Sequence, residues 1–251
     1  MYESADKLFE ARIDDMFRQC ERSFCSVYSS FLDERQCILA ERICGRYGSP
    51  LYKLWGGFED ARRKVLCIYN EYSSDIVLEE CPIKCLTFSF RSADKLSHRD
   101  FLGSFMAIRL KRETIGDIII ADGAAQVFVT EIAARLILST VSKIGKVGVR
   151  ISDSEPFYLE TKQEFDVIRA TVASMRLDCA VGAAAKISRE TASKLIRSEK
   201  VSVNHFPVMS VSHELNQGDI ISVRGFGKFI MDEINGTTKK GRIHIVLRKY
   251  K

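Results

Sequence analysis

Apolar positions along the chain change period several times, and each change marks an element. Residues 8–20 place Phe9, Ile13, Met16, Phe17 and Cys20 on one face at helical spacing, which predicts an amphipathic helix. A second helical pattern, through Phe31, Cys37, Ile38 and Ile43, is predicted to start at Ser30 as N-cap and to stop before Gly45, Gly48 and Pro50. Residues 65–69 and 83–90 then read as strands, and 98–112 as a helix turning Phe101, Leu102, Phe105 and Ile108 inward. Two strand runs follow, joined at Asp122 and Gly123, a pair that tolerates the left-handed conformations of a tight hairpin. A helix over 131–142 and a strand over 147–151 close this segment.

The pattern is sharpest in the last third. Leu177, Ala180, Val181 and Ala184 keep the spacing of a helix with one buried face. Ser188 is suited to cap the next helix, because its hydroxyl can accept from an amide of the first turn that no helix satisfies internally. Ala192, Leu195 and Ile196 form that helix's apolar stripe, which leaves Arg189, Lys194, Arg197 and Lys200 outside. The period then falls to two in Val201 and Val203, and Asn204 with His205 marks a reversal. Strands are expected around the R-G-F-G of 224–227, and 242–248 alternates apolar with basic residues.

These elements predict an α+β protein. The expected layout is a small helical N-terminal domain (1–64), an α/β sandwich like an RNA-recognition motif (65–152), an acidic connector with Pro156 (153–174), and a basic C-terminal RNA-binding domain (175–251).

Charge sharpens the functional reading. The formal net charge is only +5, but residues 176–251 hold 14 Lys+Arg against 7 Asp+Glu, while 1–175 hold 24 against 26. A cationic excess confined to one segment points to an anionic partner there, nucleic acid being the commonest. The 8 cysteines form no C-x-x-C pair and have no histidine spaced to complete a zinc site, so they are expected to be free thiols, with no metal and no cofactor. The charged N-terminus and the lack of a long apolar run predict a cytoplasmic protein without a membrane partner.

Several motifs have plainer explanations than chemistry. H-R-D at His98–Asp100 lacks the asparagine and the glycine-rich loop of a kinase, so Ser97 and Asp100 are expected to cap a helix. Arg99, Lys111 and Arg112 remain as secondary RNA contacts. The glycines of 145–148 and 225–227 do not open a helix within a βαβ unit, which argues against nucleotide binding there. R-L-D at Arg176–Asp178 is similar to the catalytic tripeptide of pseudouridine synthases, but Asp178 is expected either to pair with a nearby arginine or to cap the helix. For Asn204 and His205, base contact and turn closure stand level.

Taken together, R-L-D (176–178), S-R (188–189), K-L-I (194–196), V-x-V-N (201–204) and G-D-I-I-S-V-R-G-F-G-K (218–228) resemble the S4 RNA-binding domain, with His205 where that family usually has glycine. Earlier segments, F-L-D-x-R-Q (31–36), G-G-F (56–58), H-R-D-F-L-G (98–103) and K-R-E-x-I-G-D-I (111–118), resemble the S4-containing YlmH family of Gram-positive bacteria. The resemblance implies a non-catalytic factor, expected as a monomer without a small-molecule substrate. It would bind 23S-type rRNA and tRNA on the large ribosomal subunit, in quality control or rescue of obstructed ribosomes, with a link to cell division. The expected RNA surface is Arg176, Ser188, Arg189, Lys194, Arg197, Lys200, Asn204, His205, Arg224 and Lys228. The alternative is an RNA-modifying enzyme, of pseudouridine synthase or methyltransferase type, that uses the S4 domain for targeting.

Overall fold

A computed structural model describes residues 2–74, 76–153, 157, 159, 164–238 and 241–250. The chain divides into two compact units, Met1–Thr161 and Lys162–Lys251.

The first unit opens with α1 (Tyr2–Ser23), β1 (Val27–Leu32), α2 (Glu34–Cys44), β2 (Leu51–Trp55) and β3 (Lys64–Tyr69). The strands form an antiparallel sheet in the order β1-β3-β2. The front segment is therefore not helical alone. Ser30 lies inside β1 rather than capping a helix, and Asp33 is the cap: its carboxylate accepts from the Gln36 amide at 2.8 Å while the Gln36 side chain accepts from the Asp33 amide at 2.9 Å. β3 forms where the strand over 65–69 is expected. Leu66 and Ile68 pack with Ile13, Phe17 and Ile43 on one face, and Val65, Cys67 and Tyr69 join Phe31 and Phe128 on the other. A strand covered on both faces is apolar without alternation. The expected boundary at residue 64 falls on the first residue of β3, whose partners are both in the front segment.

Next come β4 (Ile83–Ser89), α3 (His98–Ala107), β5 (Ile115–Ala121), β6 (Ala124–Thr130), α4 (Glu131–Thr140), the short pair β7 (Lys143–Ile144) and β8 (Val147–Gly148), and β9 (Arg150–Ser152). The second sheet runs β5-β6-β4-β9 and is antiparallel, so two β-α-β units interlock in the split arrangement expected from the pattern. The Asp122-Gly123 hairpin forms as expected, with Ala121 opposite Ala124 and Gly123 at φ +78°. Phe101 and Phe105 of α3 and Ala133, Ala134 and Ile137 of α4 pack with Leu86, Phe88, Val127 and Val129. The two sheets of this unit meet through Phe31 and Phe128, and this contact requires glycine. A Cβ on Gly57 would lie 2.4 Å from the Phe128 ring, and one on Gly116 would lie 2.6 Å from Phe31.

The second unit contains β10 (Phe165–Val172), α5 (Leu177–Ala185), α6 (Arg189–Arg197), β11 (Val201–Val203), β12 (Phe206–Pro207), β13 (Ile220–Val223), β14 (Gly227–Thr237) and β15 (Ile243–Tyr250). Its sheet runs β10-β15-β14-β13-β11-β12. The stretch 153–174 is thus not a plain connector: residues 165–172 pair along their whole length with β15. Glu155, Pro156 and Glu160, which carry the connector reading, lie outside the described residues. Leu177, Val181, Ala192 and Ile196 of the two helices pack on Val201, Val203, Ile221, Val223, Phe229, Met231, Ile245 and Leu247. Among the described residues no helix is long and apolar enough to cross a membrane, and all 8 cysteines are free thiols.

Candidate nucleic-acid interface

The basic surface is organised by a buried acid. Asp178, in the first turn of α5, is only 3% exposed. Arg189 Nε donates to its Oδ2 at 2.7 Å, Arg176 Nε to its Oδ1 at 3.3 Å, and the Cys179 amide to Oδ1 at 3.0 Å. Burial pushes this carboxyl up, but the bonds from Arg189 and Arg176 outweigh burial and hold it below the usual aspartate range. Each arginine is gripped through Nε alone, so the Nη forks of both have no hydrogen-bond partner among the described residues. Such a fork suits phosphate, and Asp178 sets its orientation in advance. Of the two roles expected for Asp178, ion pair or helix cap, the structure shows the ion pair, with a second arginine joined to it.

α6 extends the surface. Ser188 caps it as expected, its hydroxyl accepting from the Thr191 amide at 3.1 Å. Ala192 and Ile196 are buried, so Lys194 and Arg197 stand outward. Lys194 pairs with Glu190 at 2.7 Å one turn away, a contact between two exposed side chains that a phosphate can readily displace. Arg189 and Arg197 are separated by about 12 Å along the helix axis. Lys200 follows the helix, and its carbonyl accepts from the Arg224 amide at 2.9 Å, which brings two more exposed cations to the end of the same ridge.

Other expected residues stand elsewhere. Lys228 lies opposite Ser222 in the strand pairing, out of phase with the buried Phe229, so its side chain leaves the sheet on the face away from α5 and α6 and lies over the Tyr250 ring at 5.2 Å. It does not join the α6 ridge. Asn204 and His205 have φ +47° and +71°, the left-handed pair of a two-residue hairpin, so His205 adopts the conformation for which glycine is usual. Asn204 also donates to Asp219 Oδ1 at 2.8 Å and accepts from the Ile220 amide at 2.9 Å, which engages both ends of its amide in closing the turn. Ser97 and Asp100 form the expected α3 cap, the Ser97 amide and hydroxyl donating to Asp100 Oδ2 at 2.8 and 2.6 Å. Arg99 and Lys111 are exposed, whereas Arg112 turns inward and donates to the carbonyls of Ile115 and Gly116. Its neighbour there, Arg63, lies 49 residues away in sequence, so the pairing left no signal in the spacing.

Comparison with known proteins agrees with this architecture. Residues 86–156, which span most of the split β-α-β sheet, match the family profile described as "Putative RNA-binding domain in YlmH". That RNA-binding domain belongs to the first unit and is separate from the basic ridge. A solved structure, "Cell division protein ylmH from Streptococcus pneumoniae", is similar over 60% of this chain and 92% of its own, with a TM-score of 0.52 and 19% identity, a likeness of fold. The "Ribosome-associated protein quality control protein P2" of Bacillus subtilis (strain 168) is 30% identical over 227 residues, 89% of this chain and 87% of the other. With one domain profile, one shared fold and one near full-length alignment in agreement, the chain belongs to the YlmH family.

Proposed function

We propose that this protein is a non-catalytic RNA-binding factor of ribosome-associated quality control, gripping rRNA and tRNA on the large ribosomal subunit through an S4-type C-terminal unit. The observation that carries this reading is the Arg176–Asp178–Arg189 clamp at one end of α6, with Arg197, Lys200 and Arg224 continuing the cationic ridge. Fixed cations of this kind bind the phosphate backbone, and shape selects the site because the major groove of A-form RNA is too narrow to be read. The split β-α-β domain supplies a second RNA surface, with Arg99 and Lys111 exposed on it. The name of the Bacillus relative supports the ribosomal setting.

Arg189 also holds Asp178, so its substitution confounds binding with folding. The discriminating variant is Arg197→Glu/Lys200→Glu, at two exposed positions. In sucrose gradients of cell lysate the wild-type protein is expected to travel with large subunits and the variant to stay at the top. Affinity of the purified protein for ribosomal RNA should fall with salt at a log–log slope of roughly 0.7–0.9 per phosphate neutralised. Equal sedimentation of both forms, with both folded, would remove the ridge as the binding surface. A role in cell division, which the resemblance also implies, would show as a division protein captured after nuclease treatment.

A further inference from the structure

A cavity of about 580 Å³ opens in the first unit, lined by α1, β1, the start of α2 and the turn at residues 112 and 113. Arg63 and Arg112 both contribute to its lining. Arg63 donates through Nε to the Ile115 carbonyl at 2.9 Å and through Nη2 to the carbonyls of Phe31 and Arg112 at 3.2 and 3.3 Å. Arg112 donates through Nη1 to the Ile115 and Gly116 carbonyls at 2.6 and 3.4 Å. Every one of these partners is neutral. A guanidinium carries five N–H donors. Nη1 of Arg63 and both Nε and Nη2 of Arg112 therefore keep donors with no partner among the described residues, and none of these atoms is sealed from solvent.

The surrounding carboxylates are engaged elsewhere. Asp33 accepts from the Gln36 amide, and Asp117 accepts from the backbone amides of Arg62 and Arg63 at 2.6 and 3.3 Å. Asp15 pairs with Arg18, and Glu113 lies 3.9 Å from Lys111. Burial and the charge of Arg63 push Arg112 down to about 10, and burial lowers Arg63 as well; the charges of Asp33 and Asp117 act on both in the opposite sense without hydrogen-bonding either guanidinium. Arg12, exposed on α1, adds a third cation; half of the remaining lining is apolar, including Phe9 and Phe31, and the other half is polar, with Asp15, Asp33 and Glu113 among it.

We propose that this cavity binds a nucleotide, its phosphate held by the free donors of Arg63 and Arg112 and its base lodged against the apolar lining. Two hydrogen-bonding cations in a partly desolvated site favour a phosphate, and the cavity is within the size range of small-ligand sites, about 300–1,000 Å³. The phosphate can belong to a free mononucleotide or to the terminus of an RNA strand. The inference does not rest on the reading of the basic unit.

The test is calorimetric titration of the full-length protein. The probes are a nucleoside monophosphate, the matching nucleoside, and a short single-stranded RNA with either a terminal phosphate or a terminal hydroxyl. The monophosphate is expected to bind at least tenfold more tightly than the nucleoside, about the contribution of one charge-assisted bond. Arg112→Gln should remove that preference while leaving the circular dichroism spectrum unchanged. If Arg112→Gln fails to fold, Arg12→Glu, at an exposed position, should weaken the monophosphate instead. Binding by the free mononucleotide assigns the source to a small molecule. A response only to RNA with a terminal phosphate assigns it to a strand end. Equal affinity for nucleoside and monophosphate, no heat with any phosphate-bearing probe, or undiminished binding in the folded variants would overturn the proposal.

Discussion

Replacing Asp178 with alanine tests whether a buried acid organises the basic ridge. The substitution removes two hydrogen bonds from arginines and one from the Cys179 amide, all to a carboxylate that is 3% exposed. Hydrogen bonds to charged groups contribute about 1.5–3 kcal/mol each, but the 3.3 Å bond is long and both arginines reach solvent, which screens them, so about 2 kcal/mol is expected in total. For a domain of this size that corresponds to a fall in melting temperature of roughly 8–16 °C. Circular dichroism melting, with amide exchange of the α5 segment, follows the unit concerned. Fluorescence of the single tryptophan, Trp55 in β2, reports on the other unit and should not change. The pH dependence has a fixed sign. The folded carboxyl lies below its unfolded value of about 3.9, so the stabilisation is complete above that pH and is lost as pH falls through the lower folded value. Wild-type and Asp178→Ala curves should therefore converge in acid. An unchanged melt at neutral pH, or a difference that persists undiminished in acid, would refute this account of the clamp.

Two further substitutions probe positions where backbone and packing coincide. Asn204→Ala removes the amide that ties the β11–β12 turn to Asp219 and Ile220 and leaves a left-handed residue with a poorer side chain for it; a loss of about 1–2 kcal/mol in urea unfolding of the second unit is expected. Gly57→Ala places a methyl 2.4 Å from the Phe128 ring at φ +97°, and should cost the first unit more than about 2 kcal/mol by chemical denaturation, with an unchanged or raised stability arguing that the two sheets are not fastened there.

Local chemistry was legible in the residues alone. Ser188 as a cap, the Asp122-Gly123 hairpin, the two short helices with Leu177, Val181, Ala192 and Ile196 inward, and the cationic excess after residue 175 all depend on neighbours within a few positions, and the structure shows each of the local elements. The rest depends on contacts between distant segments. The end of β1 reads as part of the next helix because Phe31 falls at helical spacing from Ile38, whereas Phe31 and Leu32, adjacent and both buried, belong to cores on opposite faces of the sheet. β10 was masked by Asp166 and Arg169, since a strand with one solvated face tolerates charge and is identified by its pairing with β15. Lys228 left the ridge because a strand alternates its side chains, so the face it occupies depends on register. Arg63 and Arg112 meet because folding brings both to the same carbonyl, at Ile115, over a sequence separation that no local pattern spans.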